Sequence, residues 1–340
     1  MSKLSTLPTI YREERNPTAV DAIANTFYEK NLELYPEEAT LAGRTGRETE
    51  YGDYSPRGHE QYLNLIRETL QQLNEAEPVD DIDRVTVDAM NERLGLELEL
   101  ADADLGYWEL NNIASPVQNI RAIFDQMKRD TAEDWKHLAG RLHRVTGAVE
   151  GVIESLEHGR SRGNISARRQ IEIVIEQTDA YVAPGGFFDE LAQEIALAAP
   201  EHAEIANEGA ERAKAGYRAL NTYLRETLLE QAPTEDAVGK ERYSLYSRRF
   251  LGSTVDLNET YRWGIEELDR IIAEQKAVAE EIKPGASVKE AKAILDADPE
   301  RILKGTDALR KWMQETSDRA VYALAEKFFV IEGAMRELEC

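Results

Sequence analysis

Residues 131–161 read TAEDWKHLAGRLHRVTGAVEGVIESLEHGRS. Trp135, Leu138, Leu142, Val145, Val149, Val152 and Leu156 follow one another at steps of 3, 4, 3, 4, 3 and 4. That spacing keeps side chains on one side of a helix with ~3.6 residues per turn. The stretch predicts one long amphipathic helix with a face that must be buried. A second run, Leu257, Tyr261, Ile265, Leu268 and Ile272, then Ala279 and Ile282, carries charged residues on its opposite side. It predicts a second long amphipathic helix.

Working outward, the punctuation agrees with helices. Asn16-Pro17, Ser55-Pro56 and Asp298-Pro299 each set a capping residue before a proline suited to a first helical position. Ser287 with Glu290, and Asp256 with Glu259, have capping-box spacing. Ala183-Pro184-Gly185-Gly186 and Lys283-Pro284-Gly285 read as stops. Leu94-Gly-Leu-Glu-Leu-Glu-Leu100 alternates like a strand, but Leu and Glu favour helix, so it is assigned to a helix. The expected fold class is all-α, a multi-helix array of long amphipathic helices. Two regions are expected, 1–183 and 184–340, with a weaker boundary near Pro116.

Of 340 residues, 65 are Asp or Glu and 41 Lys or Arg, leaving a formal charge of −24. A hydrophobic share of 42% and a mean hydropathy of −0.54 suit a globular chain with a sizeable core. The acidic balance opposes binding to nucleic acid or to an anionic membrane surface. No run approaches the ~18 apolar residues of a membrane span. The opening MSKLSTLPTIYREERNP lacks the apolar region of a signal peptide, which sets the expected location as cytoplasmic. Cys340 is the sole thiol, so an intrachain disulfide and a cysteine-cluster metal site are excluded.

The motif search is largely negative. His59, His137, His143, His158 and His202 form no His-Glu-x-x-His, and none has a glutamate three residues before it. Glu201, Glu204, Glu208 and Glu211 share a helical stripe and read as a solvated acidic face. Ser-x-x-Lys and glycine-rich phosphate loops are missing. Positive charge concentrates at Arg160, Arg162, Arg168 and Arg169, and again at Arg248 and Arg249. These six are candidates for holding a substrate carboxylate. The competing reading is that they pair with neighbouring carboxylates and fasten a helix-loop-helix corner.

Several passages in order carry a resemblance: TFYEKNLELYPEEATLAGRTGRETEYGDYSP (26–56), NNIASPVQNIRAIFDQM (111–127) with EDWKHLAGRL (133–142), GRSRGNISARRQ (159–170), GKERYSLYSRRFLGSTVDLNETYRWGIEELDRI (239–271) and PGASVKEAKAILDADPERIL (284–303). Together they resemble the bacterial DUF885 family, whose fold is similar to carboxypeptidase Taq-type zinc enzymes, from about Pro17 to Cys340. The resemblance implies the N-terminal part of a gluzincin-like metallopeptidase fold. In the family, zinc is held by His-Glu-x-x-His and a downstream glutamate, with the motif's glutamate activating water. No position here corresponds to those residues, because the motif lies beyond the segment matching MRELEC (335–340).

The resemblance therefore implies no catalytic or metal residue and no cofactor in this chain, with zinc and a peptide or other small substrate belonging to a full-length relative. The helix-like run from Glu332 to Cys340 lacks a glycine cap or polar tail, and is read as truncation. Faces exposed by truncation would favour self-association. The alternative to an enzyme part that is inactive alone is a non-enzymatic helical scaffold or interaction module. A third reading is an independent enzyme whose acid-base pair is assembled in space.

Overall fold

The computed structural model describes residues 15–340 apart from 107, 326 and 332, and among these it is all-α with no strand. The opening residues 1–14, read above for a leader, lie outside the described ones. The chain forms two compact units, 1–254 and 255–340. The position 183/184, chosen from the Pro-Gly-Gly break, lies inside the first.

The first unit begins with α1 (Ala19–Leu34), α2 (Pro36–Leu41), α3 (Pro56–Glu75) and α4 (Asp81–Asp102). Leu63 and Ile66 of α3 close over Leu94 of α4, with Phe27 of α1 alongside. Next come α5 (Pro116–Gln126), α6 (Ala132–Leu142), α7 (Val145–Ser161), α8 (Arg168–Val182), α9 (Phe187–Ala198) and α10 (Ala203–Tyr223). A π-turn over Leu224–Leu228 carries α10 into α11 (Leu229–Gln231), and α12 (Lys240–Leu251) ends the unit. The main core unites Phe124, Leu138, Val149, Val174, Phe188 and Tyr217, drawn from α5 to α10.

α10 holds this core together because one side of it is small. Ala206, Ala210 and Ala213 are buried, and Gly209 and Gly216 lie on the same side. A Cβ on Gly209 would stand 3.0 Å from the His143 backbone nitrogen, and one on Gly216 would stand 3.2 Å from Thr146 Cα. Backbones this close exclude a larger side chain. On the other side of α10, Glu204, Glu208 and Glu211 are exposed, with Glu201 just upstream, as a solvated stripe requires.

The structure corrects the opening stretch in one respect. Its apolar spacing is kept, but the helix is two helices, α6 and α7, joined at His143 and Arg144. The Arg144 nitrogen bonds the Arg141 carbonyl at 2.9 Å, a tight turn, at the place where Gly209 of α10 presses against the backbone. Leu138, Leu142, Val145, Val149, Val152 and Leu156 are all buried. Two start signals also differ. α1 is capped by Thr18 in a reciprocal pair with Asp21, downstream of Asn16-Pro17. Asp298 accepts from the Glu300 nitrogen at 3.0 Å and closes a turn, with no helix following it. The Ser287–Glu290 box and the helical Leu94–Leu100 run stand as read; Ser55-Pro56 opens α3 as expected, but the Ser55 side chain makes no capping bond.

The second unit comprises α13 (Leu257–Ile282), α14 (Val288–Asp296), α15 (Thr306–Leu324) and a 3-10 turn, Gly333–Arg336. The second amphipathic helix forms, yet its apolar side is not buried. Tyr261 is 72% exposed, Leu268 51% and Ile265 44%, and only Ala279 of α13 is buried. On α15, Trp312, Met313 and Tyr322 are likewise exposed. None of the described helices is long and apolar enough to cross a membrane.

Candidate functional site

A cavity of about 210 Å³ opens in the first unit, with Val152, Leu156, Leu110 and Pro116 among its apolar lining. Val152 and Leu156 are adjacent turns of α7, so the amphipathic face that builds the core also supplies this floor. One edge is the segment 53–55, held against the first turn of α3. That hold depends on Gly58, where a Cβ would fall 1.8 Å from the Asp53 carbonyl oxygen. Ser155 of α7 donates to the Tyr54 carbonyl at 2.6 Å. The buried Glu37 carboxylate accepts from the Tyr54 hydroxyl at 2.7 Å and from the Gly52 nitrogen at 3.1 Å.

Above the floor stand ionisable and aromatic groups from five places in the chain. Tyr35, between α1 and α2, meets Tyr62 of α3 edge to face, with ring centroids 5.6 Å apart at 73°. Glu97 of α4 pairs with Arg249 of α12 at 3.0 Å. His59 of α3 and Glu109, in the non-helical segment before α5, complete the lining.

Burial sets the protonation of these groups. It pushes the Glu109 carboxyl up to about 7, with Glu97 adding to the rise, while the Gly106 backbone bond and the charges of Arg249 and Arg242 restrain it. The Tyr62 hydroxyl is pushed up to about 12 by burial and then by Glu97, and that of Tyr35 is raised further, again chiefly by burial. Burial also holds His59 below its ordinary value. Near neutrality the cavity therefore presents protonated phenols, a neutral imidazole and, in Glu109, one carboxyl close to half-ionised that can take up and release a proton there. Beyond Glu109 and Leu110 lies a neighbouring cleft of about 370 Å³, with Trp108, Gln170, Arg242 and Tyr246 among its lining.

The six arginines singled out by charge fall into two places. Arg160 grips Glu157 through two bonds of 2.7 and 2.5 Å, and Glu157 also accepts from the Tyr223 hydroxyl. Arg162 pairs with Asp104 at 2.6 Å, Arg168 donates to the Leu229 carbonyl at 2.7 Å, and Arg169 pairs with Asp236. These four fasten the α7–α8 corner. Arg248 spans Glu92 and Glu99 of α4 at 2.6 and 3.0 Å, which fixes α12 onto α4. Arg249 alone of the six borders the 210 Å³ cavity.

Sequence reading did not find Glu109, Tyr35 or Tyr62. Glu109 lies in GYWELNN (106–112), where no spacing marks it, and its chemistry comes from surroundings brought by distant helices. His59 stands in the sequence only as one of five histidines that form no zinc motif. Among the described residues, no group of three or more His, Cys, Asp or Glu could hold a metal ion.

Five solved chains resemble this one in fold. A "putative lipoprotein" from Colwellia psychrerythraea superposes with a TM-score of 0.68 at 14% identity, over 91% of this chain and 59% of that one. A "putative lipoprotein of unknown function" from Shewanella oneidensis gives 0.61 at 14% identity, over 92% of this chain and 57% of that one. The chain thus spans under two thirds of the length of either. No curated protein matches it. The family model described as "Bacterial protein of unknown function (DUF885)" matches residues 36–340, and with nearly nine-tenths of its sequence inside that match the chain belongs to the DUF885 family.

Proposed function

We propose that this chain is the helical N-terminal part of a zinc-metallopeptidase-like hydrolase acting on peptides, and that it builds a wall of the peptide cleft. The observation that carries the reading is the apolar side of α13, where Tyr261, Ile265, Leu268 and Ile272 are exposed, together with the exposed Leu309, Trp312 and Met313 of α15. An amphipathic helix 26 residues long with one buried position has a side made for a partner. The greater length of the two structural relatives supports the same reading. The zinc site of a carboxypeptidase Taq-like fold is not fitted by the described residues, which hold no metal-ligating group. No catalytic step is therefore assigned to this chain, and by itself it is expected to hydrolyse no peptide.

The test begins with the genomic reading frame downstream of codon 340. The reading expects an open frame encoding His-Glu-x-x-His, and a longer product in which Trp312 fluoresces as a buried indole. A stop codon directly after Cys340, with the chain a stable monomer, overturns it.

A further inference from the structure

The charges around the 210 Å³ cavity do not balance. Asp53, Glu97 and Glu109 line it together with one guanidinium, Arg249. Arg249 is already taken by Glu97 at 3.0 Å. Asp53 is paired outside the cavity with Arg57, whose side chain is 79% exposed. His59 is neutral near pH 7 because burial lowers its affinity for a proton. Glu109 is left as the carboxyl for which the lining supplies no ion-pair partner of its own. An entering anion would have to displace Glu97 from Arg249, whereas an entering cation finds Glu109 waiting.

The walls suit the same visitor. Tyr35 and Tyr62 meet near a right angle and form an aromatic corner beside Tyr54. Aromatic faces attract ammonium ions. The apolar floor of Val152, Leu156 and Leu110 matches a short hydrocarbon stem. At about 210 Å³ the space lies below the ~300–1,000 Å³ of pockets that hold drug-sized ligands, so the group is fragment-sized.

We propose that this cavity binds a primary ammonium group carried on a short apolar stem, with Glu109 as its counter-ion and Tyr35 and Tyr62 as its aromatic walls. The inference goes beyond the proposed function and does not rest on it, since it concerns this chain by itself and needs no metal-bearing half. Binding draws Glu109 into its ionised form, so the complex weakens as pH falls below about 7. The other groups facing it are Glu97 on α4, Arg249 and Arg242 on α12, His59 on α3 and Asp53 before α3. Of these, His59 gains charge as pH falls and opposes the cation in the same direction.

The experiment titrates the full chain at pH 8 with n-butylammonium, with butyrate as the anionic counterpart and 1-butanol as the neutral one, followed by ligand-observed NMR. The expected result is saturable millimolar binding of the amine, in keeping with so few heavy atoms, and none of butyrate. Glu109→Gln should weaken the amine by about tenfold, the effect of losing one charge-assisted contact. Tyr62→Leu, which leaves Glu109 in place, should weaken it several-fold and decides the matter if Glu109→Gln does not fold. Butyrate or butanol binding as well as the amine, no saturable amine binding, or unchanged affinity in the folded variants overturns the proposal.

Discussion

The guanidinium carbon of Arg141 lies 5.6 Å from the ring centroid of Tyr51, with the arginine fully buried. Its Nη2 donates to Thr40 Oγ1 at 2.9 Å and to the Arg47 carbonyl at 3.4 Å, while Nε and Nη1 find no acceptor among the described residues. Burial lowers its affinity for a proton, against the opposing pull of Tyr51 and Glu37. An interior cation so thinly bonded retains much of its desolvation penalty. Arg141→Met, which keeps most of the volume and removes the charge, is expected to leave stability unchanged or raise it by about 1–4 kcal/mol. Arg141→Ala should lower it by about 3 kcal/mol through the cavity left behind. Urea midpoints of both variants check the contrast.

Glu109 makes stability depend on pH in a definite direction. Its folded value of about 7 lies above the ordinary 4.5, so between these the native state holds more protons than the unfolded chain. Stability attributable to this group is full at low pH and is lost as pH rises through about 7. Glu109→Gln should match the parent near pH 4 and exceed it near pH 8, by at most about 3 kcal/mol. Thermal melts of both proteins across that range measure the difference.

Two glycines on neighbouring helices should respond oppositely to the same change. Gly147→Ala in α7 meets nothing within 4 Å, and should stabilise by about 0.5–1 kcal/mol through reduced freedom of the unfolded chain. Gly209→Ala in α10 drives a Cβ to 3.0 Å from the His143 nitrogen, and backbone on backbone has little room to give. A loss of about 1–3 kcal/mol is expected. Equal effects at the two sites would mean that α10 does not press on the α6–α7 junction.

Charging the apolar side of α13 tests whether it is sticky. Ile265→Glu with Leu268→Glu should suppress dye binding and concentration-dependent association of the bare chain, because both positions are already exposed, at 44% and 51%. Sedimentation velocity at rising concentration follows it. The melting of the first unit, read by near-ultraviolet circular dichroism of its buried tyrosines, should not move.

The helices were legible because local chemistry encodes them. Every position in the 3-and-4 spacing from Leu138 to Leu156 is buried, and the Ser287–Glu290 box closes as its spacing requires. The turn at His143 and Arg144 was not legible, since no proline or αL glycine makes it. It is imposed by Gly209, some 65 residues away. The exposure of Tyr261 and Leu268 was equally hidden, because amphipathicity states which side wants cover and says nothing of what supplies it. The cavity escaped for a related reason: its ionisable residues are ordinary in sequence, and only the low polarity created by α3, α4, α7 and α12 together turns Glu109 into a group that titrates near 7.

The small side of α10 has a consequence for the order of assembly. It joins α6, α7, α8 and α9, all close in sequence, so residues 116–231 close on themselves through short loops. The cavity, by contrast, draws Tyr35, Asp53 and His59 toward Val152 and Leu156 across about a hundred residues, and Arg249 toward Glu97 across a longer span. Contacts of long separation form late because loop closure is slow to be rewarded. During refolding the helical signal would recover first and the pocket last, which makes occupancy of the pocket a clock for the final step.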